Sequence, residues 1–248
     1  DHDAGAVQLG YPAGGPGLVA YYPFDDNGSS TAADASGGTD GTVDGATQGV
    51  PGVLNTSAYS FDGVDDSVQA STDLSSSLGT SGTVSAWIKT TQSGDDTMWQ
   101  APGITGVESN GDGNDVFYGW IDAAGNIGVM AGNADGAQST TEINDGTWHH
   151  VVLVRNATSG ETRVYVDGVL EDTATSETGA KTSPFSGIGV IEDTGGSPEH
   201  LDGRLDDVRL YDRALTDAEA LALYETTRNG SLTTAERTTS VAVDPRDV

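Results

Sequence analysis

The sequence contains no cysteine, which excludes disulfides, thiolate metal sites and cysteine nucleophiles. Lysine is almost missing as well, with only Lys89 and Lys181 beside eight arginines. Ten basic residues face 38 acidic ones, a formal net charge of −28. A chain so negative is repelled by nucleic acid and by anionic membrane surfaces, so neither is expected as a partner. No apolar run approaches the roughly 18–20 residues that cross a bilayer, and no membrane insertion is expected. The chain starts at Asp1 without an initiator methionine or a signal-like apolar stretch. It therefore reads as a processed or trimmed form, with any targeting peptide not visible.

What the sequence does contain is aspartate: 28 Asp against 10 Glu, scattered over the chain of 248 residues. Disordered acidic tails are poor in aromatic and β-branched residues. Here Trp87, Trp99, Trp120 and Trp148 sit in segments rich in Val, Ile and Thr. Scattered carboxylates on a folded surface fit adaptation to molar salt, as in a halophile's protein. At that salt the Debye length falls to about 3 Å and self-repulsion is screened.

Short alternating runs recur between turn clusters, the pattern of an all-β sandwich or barrel. Strands are expected at Leu18–Tyr22, Ala58–Phe61, Ser67–Ala70, Gly82–Thr90, Val116–Ile121 and Asn126–Met130. Further strands are expected at Thr147–Arg155, Thr162–Val166, Val169–Thr173 and Leu205–Tyr211, with residues 28–49 read as one long loop. In Gly82–Thr90, Val84, Ala86 and Ile88 share one face while Ser85, Trp87 and Lys89 take the other. Asp167-Gly168 is the favoured pair for a two-residue type I′ turn. One helix is expected from Thr216, where Thr216 and Glu219 make a capping box ahead of an apolar stripe, and Asn229-Gly230 stops it. Residues 1–16 form an N-terminal extension, 17–230 the domain, and 231–248 a C-terminal extension in which Thr238–Val243 is a possible extra strand.

The order of motifs resembles a laminin-G-like, concanavalin A-like domain. The resemblance rests on Leu18–Asp25 (LVAYYPFD), Asp34–Thr42, Tyr59–Asp66 (YSFDGVDD) and Thr83–Thr90 (TVSAWIKT). It continues through Gly146–Val151 (GTWHHV), Val164–Gly168 (VYVDG) and Leu205–Leu215 (LDDVRLYDRAL). It implies a jelly-roll sandwich of two antiparallel sheets, a fold that hosts lectins, carbohydrate-binding modules, adhesion domains and some glycosidases. Fold alone does not choose among them.

Calcium is the cofactor that the resemblance suggests, because in similar domains the loop matching residues 34–42 lies near the strand matching Leu205–Tyr211. The expected ligands are Asp34 and Asp40 from the loop and Asp206 from the strand, a donor set of the hard oxygen type that Ca²⁺ takes. Alternation with Val208 and Leu210 places Asp206 on the inward face. Alternatively, Asp206 accepts backbone amides or pairs with Arg204 or Arg209. The acidic run Asp62, Asp65 and Asp66 reads as a tight hairpin turn. His149 and His150 point to opposite sides of a strand, which suits packing better than shared ligation of one ion.

Sugar rings stack on flat apolar faces, so Trp99, Tyr118 and Trp120, near strand ends and loops, are the candidate ligand platform. Sequons at Asn27, Asn55, Asn156 and Asn229 offer glycosylation sites. A glycosidase needs two carboxyl groups flanking a sugar linkage, and no Glu-x-Asp-x-Glu strand occurs. The expectation is a non-catalytic extracellular recognition or adhesion module, salt-adapted, with a structural calcium and a glycan or cell-surface ligand. Two alternatives stand beside it: a subunit of a filament, appendage or virion that self-associates through residues 231–248, and a glycoside hydrolase.

Overall fold

Runs of Val, Ile, Thr and aromatic residues, broken by glycine turns, settle into strands because branched side chains pack well on a pleated surface. A computed structural model describes residues 15–228 apart from 39, 54–56 and 112. The bulk of both extensions lies outside the described residues, as do Thr238–Val243 and the Asn229-Gly230 stop.

Two sheets face each other. In the eight-stranded sheet the order is Val169–Thr175, Glu161–Val166, His149–Arg155, Gly82–Thr90, Asp202–Tyr211, Ser57–Asp62, Thr47–Pro51. Leu18–Tyr22 pairs with the second half of Asp202–Tyr211. The ten-stranded sheet runs Ala134–Glu142, Asn126–Ala131, Val116–Ile121, Thr105–Glu108, Gly187–Ile188, Ser67–Gln69, Gly41–Asp44, Thr31–Ala32. Val190–Asp193 adds to it alongside Thr105–Glu108, and Glu199–His200 pairs with Val190–Asp193. This is the jelly-roll sandwich expected, with one helix, Asp217–Arg228. Its core interleaves Val84, Ala86, Ile88, Val151, Leu153 and Leu205 of one sheet with Val68, Val107, Tyr118, Ile127 and Val129 of the other.

Gly82–Thr90 has the predicted two faces, yet both are buried, because the helix covers the outer one. There Trp87, His150 and Tyr224 pack ring to ring, with centroids 5.2–6.1 Å apart. Val152, Val154 and Tyr165 meet Ala220 of the helix. The capping box forms, with Glu219 accepting from the Thr216 amide at 2.8 Å and Thr216 Oγ1 accepting from the Glu219 amide at 3.4 Å.

One edge of the sandwich is closed by side chains. The carboxylate of Glu171 accepts from the amides and hydroxyls of Thr140 and Thr141, and Asp172 accepts from the Gln138 amide. Two edge strands of different sheets are thereby tied without a backbone ladder, which removes an open template for further pairing.

Candidate functional site

The expected calcium ligands separate. Asp34 is buried, and its Oδ1 accepts from the amides of Tyr21 and Ser36, both at 2.9 Å. Asp40 accepts from the Asp34 amide at 2.9 Å, so these two do share a loop. Asp206 instead lies against residues 52–53, accepting from the Val53 amide at 2.9 Å. A bulge explains the discrepancy. Asp207 has φ 58° and the register shifts between Asp206 and Arg209. The alternation therefore changes phase: Leu205 and Val208 both join the core, and Asp206 stands opposite Trp87 on the face turned away from it. Among the described residues, the trio of carboxylates close enough to share an ion is Asp62, Asp65 and Asp66. Asp34, Asp40 and Asp206 therefore do not fit one Ca²⁺ as a set. Asp62 does make the expected turn, accepting from the Val64 amide at 2.9 Å.

The three aromatic candidates also part company. Tyr118 is fully buried in the core, donating its hydroxyl to the Leu78 carbonyl at 3.0 Å, so it is no surface platform. Simple alternation would put Trp120 beside it. Gly119, at φ 85°, breaks that alternation and turns Trp120 to the outer face of the ten-stranded sheet. There it is 5% exposed, packed with Ala101, Phe117, Met130 and Ile191. Trp120 is a floor rather than a contact surface. Trp99 is 50% exposed. It occupies the short turn Met98–Gln100, whose Met98 packs on the same floor. The turn is seated by backbone bonds from Gly94 to the Asp122 carbonyl, from Asp95 to that of Ile121, and from Ile121 to that of Pro102.

Beside this floor runs a row of acids. Glu108 is the cross-strand partner of Asp193 in a parallel pair, and Val107 pairs with Val116, which brings Asp115 next in line. The Glu108 carboxyl shares a hydrogen bond with that of Asp193. Burial first, then the charges of Asp193 and Asp115, push the Glu108 carboxyl above its ordinary range. Ile191, which belongs to the floor, shares its strand face with Asp193 and is paired with Glu199. Glu199 is raised too, by burial and by the charges of Asp193 and Asp95, with His200 opposing. An exposed indole and an apolar floor thus lie on one sheet face with a row of carboxylates.

Such a surface can stack a flat apolar ring face and accept hydroxyl donors. Glu108 and Asp193 as a pair lack the spacing for glycoside hydrolysis. Carboxyls that share a hydrogen bond are closer than the about 5–5.5 Å or more that must separate two groups flanking a glycosidic bond. The histidines do not make a centre either. His150 is buried, with Nε2 3.0 Å from Ser85 Oγ, while His149 bonds Asp167 at 2.9 Å.

Residues 62–220 match the family model of the concanavalin A-like lectin/glucanases superfamily. The chain belongs to this family. As a lectin/glucanase-type domain it shares 32% identity over 88 residues with a rat protein, "Sushi, von Willebrand factor type A, EGF and pentraxin domain-containing protein 1". That stretch is 33% of this chain and 2% of the rat protein. Among solved structures, a Trypanosoma rangeli sialidase mutant with trans-sialidase activity superposes with a TM-score of 0.60 at 20% identity, covering 85% of this chain and 33% of that one. Domain 4 of an extracellular GH43 arabinanase from Geobacillus stearothermophilus, in complex with arabinotriose, gives 0.59 at 24%, covering 84% of this chain and 98% of that one. The binding domain of a paraclostridial mosquitocidal protein gives 0.57 at 16%, covering 85% and 52%. At these identities the structural likenesses establish the fold alone.

Glu108, Asp193 and Glu199 were not among the sequence candidates. The strands that bring Glu108 and Asp193 together are distant in sequence and parallel, so no local spacing announces the pair. Asn27 is exposed, whereas Asn156 is half-buried and its Oδ1 accepts from the Thr158 and Ser159 amides. Asn55 and Asn229 lie outside the described residues.

Proposed function

We propose that this domain is a non-catalytic, extracellular recognition module that binds a glycan across Trp99 and the neighbouring carboxylates. The observation that carries the reading is the half-exposed Trp99, in a turn whose Met98 packs on the same apolar floor as Ile191 of the Asp193 strand. A flat indole gives a sugar ring its stacking surface. Carboxylate oxygens accept from sugar hydroxyls in charge-assisted hydrogen bonds, which are shorter and stronger than neutral ones. Rigid sheets beneath the site hold these groups in place before the ligand arrives, which lowers the ordering cost of binding. The arabinanase domain solved with arabinotriose supports the glycan reading by analogy.

Covering roughly 100 Å² of the indole at about 25 cal/mol/Å² contributes at most about 2.5 kcal/mol. A Trp99→Ala variant is therefore expected to weaken binding about tenfold or more. The assay is calorimetry against neutral oligosaccharides, arabino-oligosaccharides included, at 0.15 M and at molar salt. Because Trp99 is exposed, its fold should be untouched, and circular dichroism checks this. Unchanged affinity in a folded Trp99→Ala protein would remove the site from this surface.

A further inference from the structure

The ten strands of the larger sheet contain no lysine and no arginine. Neither does the segment 91–104 that carries Trp99, nor the turn 109–115 beside Glu108. The described cations lie elsewhere. Lys89, Arg155, Arg163, Arg204 and Arg209 belong to strands of the other sheet, and Arg213 and Arg228 to its helix region. Lys181 alone reaches toward this side, and it is 6% exposed with its ammonium held by the Gly113 carbonyl and Glu177. His200 is paired with Val190, so it points away from the face of Ile191 and Asp193, and its Nδ1 bonds the Asp66 carbonyl at 3.0 Å.

We infer that the Trp99 surface selects uncharged, hydroxyl-rich glycans and rejects those bearing carboxylates, the sialic and uronic acids included. This rests on the glycan-binding reading above. Recognition of a carboxylate calls for a guanidinium fork, an ammonium or another concentrated donor, and the strands here offer no cation. What the surface presents instead is Glu108, Asp193, Glu199 and Asp95. Each adds repulsion to an incoming anion, and burial followed by the charges of neighbouring acids already raises the carboxyls of Glu108 and Glu199. A neutral sugar suffers none of this and donates hydroxyls to the same oxygens.

The test compares one oligosaccharide backbone in neutral, uronate and sialylated forms, titrated into the folded protein at 0.15 M and 1 M salt. The neutral form is expected to bind at least about tenfold tighter at 0.15 M. The gap should narrow at 1 M, where the Debye length drops from about 8 Å to about 3 Å. The double variant Asp193→Asn, Glu199→Gln should narrow it at low salt as well. Carboxylated forms binding as tightly as neutral ones, with Trp99 still required, would overturn the selectivity and leave the binding reading standing. If no glycan of any charge bound to folded protein, the binding reading itself would fall, and the selectivity with it.

Discussion

Replacing Glu108 by glutamine should make the protein more stable at neutral pH, although it removes a hydrogen-bonded side chain. Two carboxyls in contact cannot both ionise without cost. At about 4 Å, two unit charges repel by about 1 kcal/mol in bulk water and about 4 kcal/mol at an effective dielectric near 20. Glu108 is half-buried, so a net gain of about 1 kcal/mol is expected once solvent screening is allowed for. For a domain of this size that corresponds to about 2–4 °C in melting temperature. The sign follows from linkage. The folded-state pKa of Glu108 is raised, so the folded form holds its proton more tightly, and the penalty enters as pH climbs above the ordinary carboxylate range. The amide keeps a hydrogen bond to Asp193 and carries no charge. The assay is a set of thermal melts of wild type and Glu108→Gln at pH 4 and pH 7, each at low and molar salt. The gain should appear at pH 7 in low salt, shrink in molar salt and vanish at pH 4. A loss of stability at pH 7, or a gain of equal size at both pH values, would refute the reasoning.

Arg155 is fully buried and donates to the carbonyls of Gly79, Thr80, Glu177 and Gly179. Arg155→Met strands most of these acceptors and should cost about 3–5 kcal/mol in a urea melt; a cost below about 1 kcal/mol would show that the loops relax freely. His150 is neutral in the fold, its pKa lowered to about 3 by burial and then by Arg209. Stability should therefore fall as pH drops below about 6.5, by up to about 1.4 kcal/mol per pH unit, and His150→Phe should flatten that limb. Because backbone amides already satisfy Asp34 and Asp206, a chelator is expected to leave the melting temperature unchanged, and a clear drop would show that an ion holds the fold.

Local signals carried most of the fold. The Gly82–Thr90 strand lies where alternation put it, and Asp167 and Gly168 take the two positive φ values, 50° and 81°, that a type I′ turn requires. The capping box is equally local. The strand Ala134–Glu142 is not legible because its sequence, ADGAQSTTE, shows no apolar alternation; its position is set by the ladder to Asn126–Ala131 and by carboxylates from another strand. The segment 28–49 hides three short strands whose residues are largely exposed, so burial left no periodic mark. Two glycine- and aspartate-borne bulges undid finer readings. Gly119 parts Tyr118 from Trp120, and Asp207 turns Asp206 off the core face. Alternation predicts a face only while the ladder is regular. The place of Trp99 near loops was legible, but neither its exposure nor the row of acids set by long-range strand pairing was.

The two outer faces of the sandwich are built on different terms. On the eight-stranded sheet the helix closes the surface, and several carboxylates there pair with cations: Asp207 with Arg209, Asp217 with Arg163, Glu219 with Arg213. That side reads as structure. On the ten-stranded sheet the segment bearing Trp99 packs through Met98 on the buried apolar floor, and the strands place like charges shoulder to shoulder with no lysine or arginine among them. An arrangement that costs stability locally is expected where it serves something besides the fold. Overall acidity does not explain it, since the same chain pairs its acids wherever a helix must be held. A hydroxyl-bearing ligand resolves the conflict, because each donor it brings relieves a crowded carboxylate that the fold leaves without a cation. The ligand should therefore stabilise the domain most where Glu108 is ionised, above the ordinary carboxylate range. Its affinity should accordingly be higher at pH 7 than at pH 4, which calorimetry at the two pH values would measure.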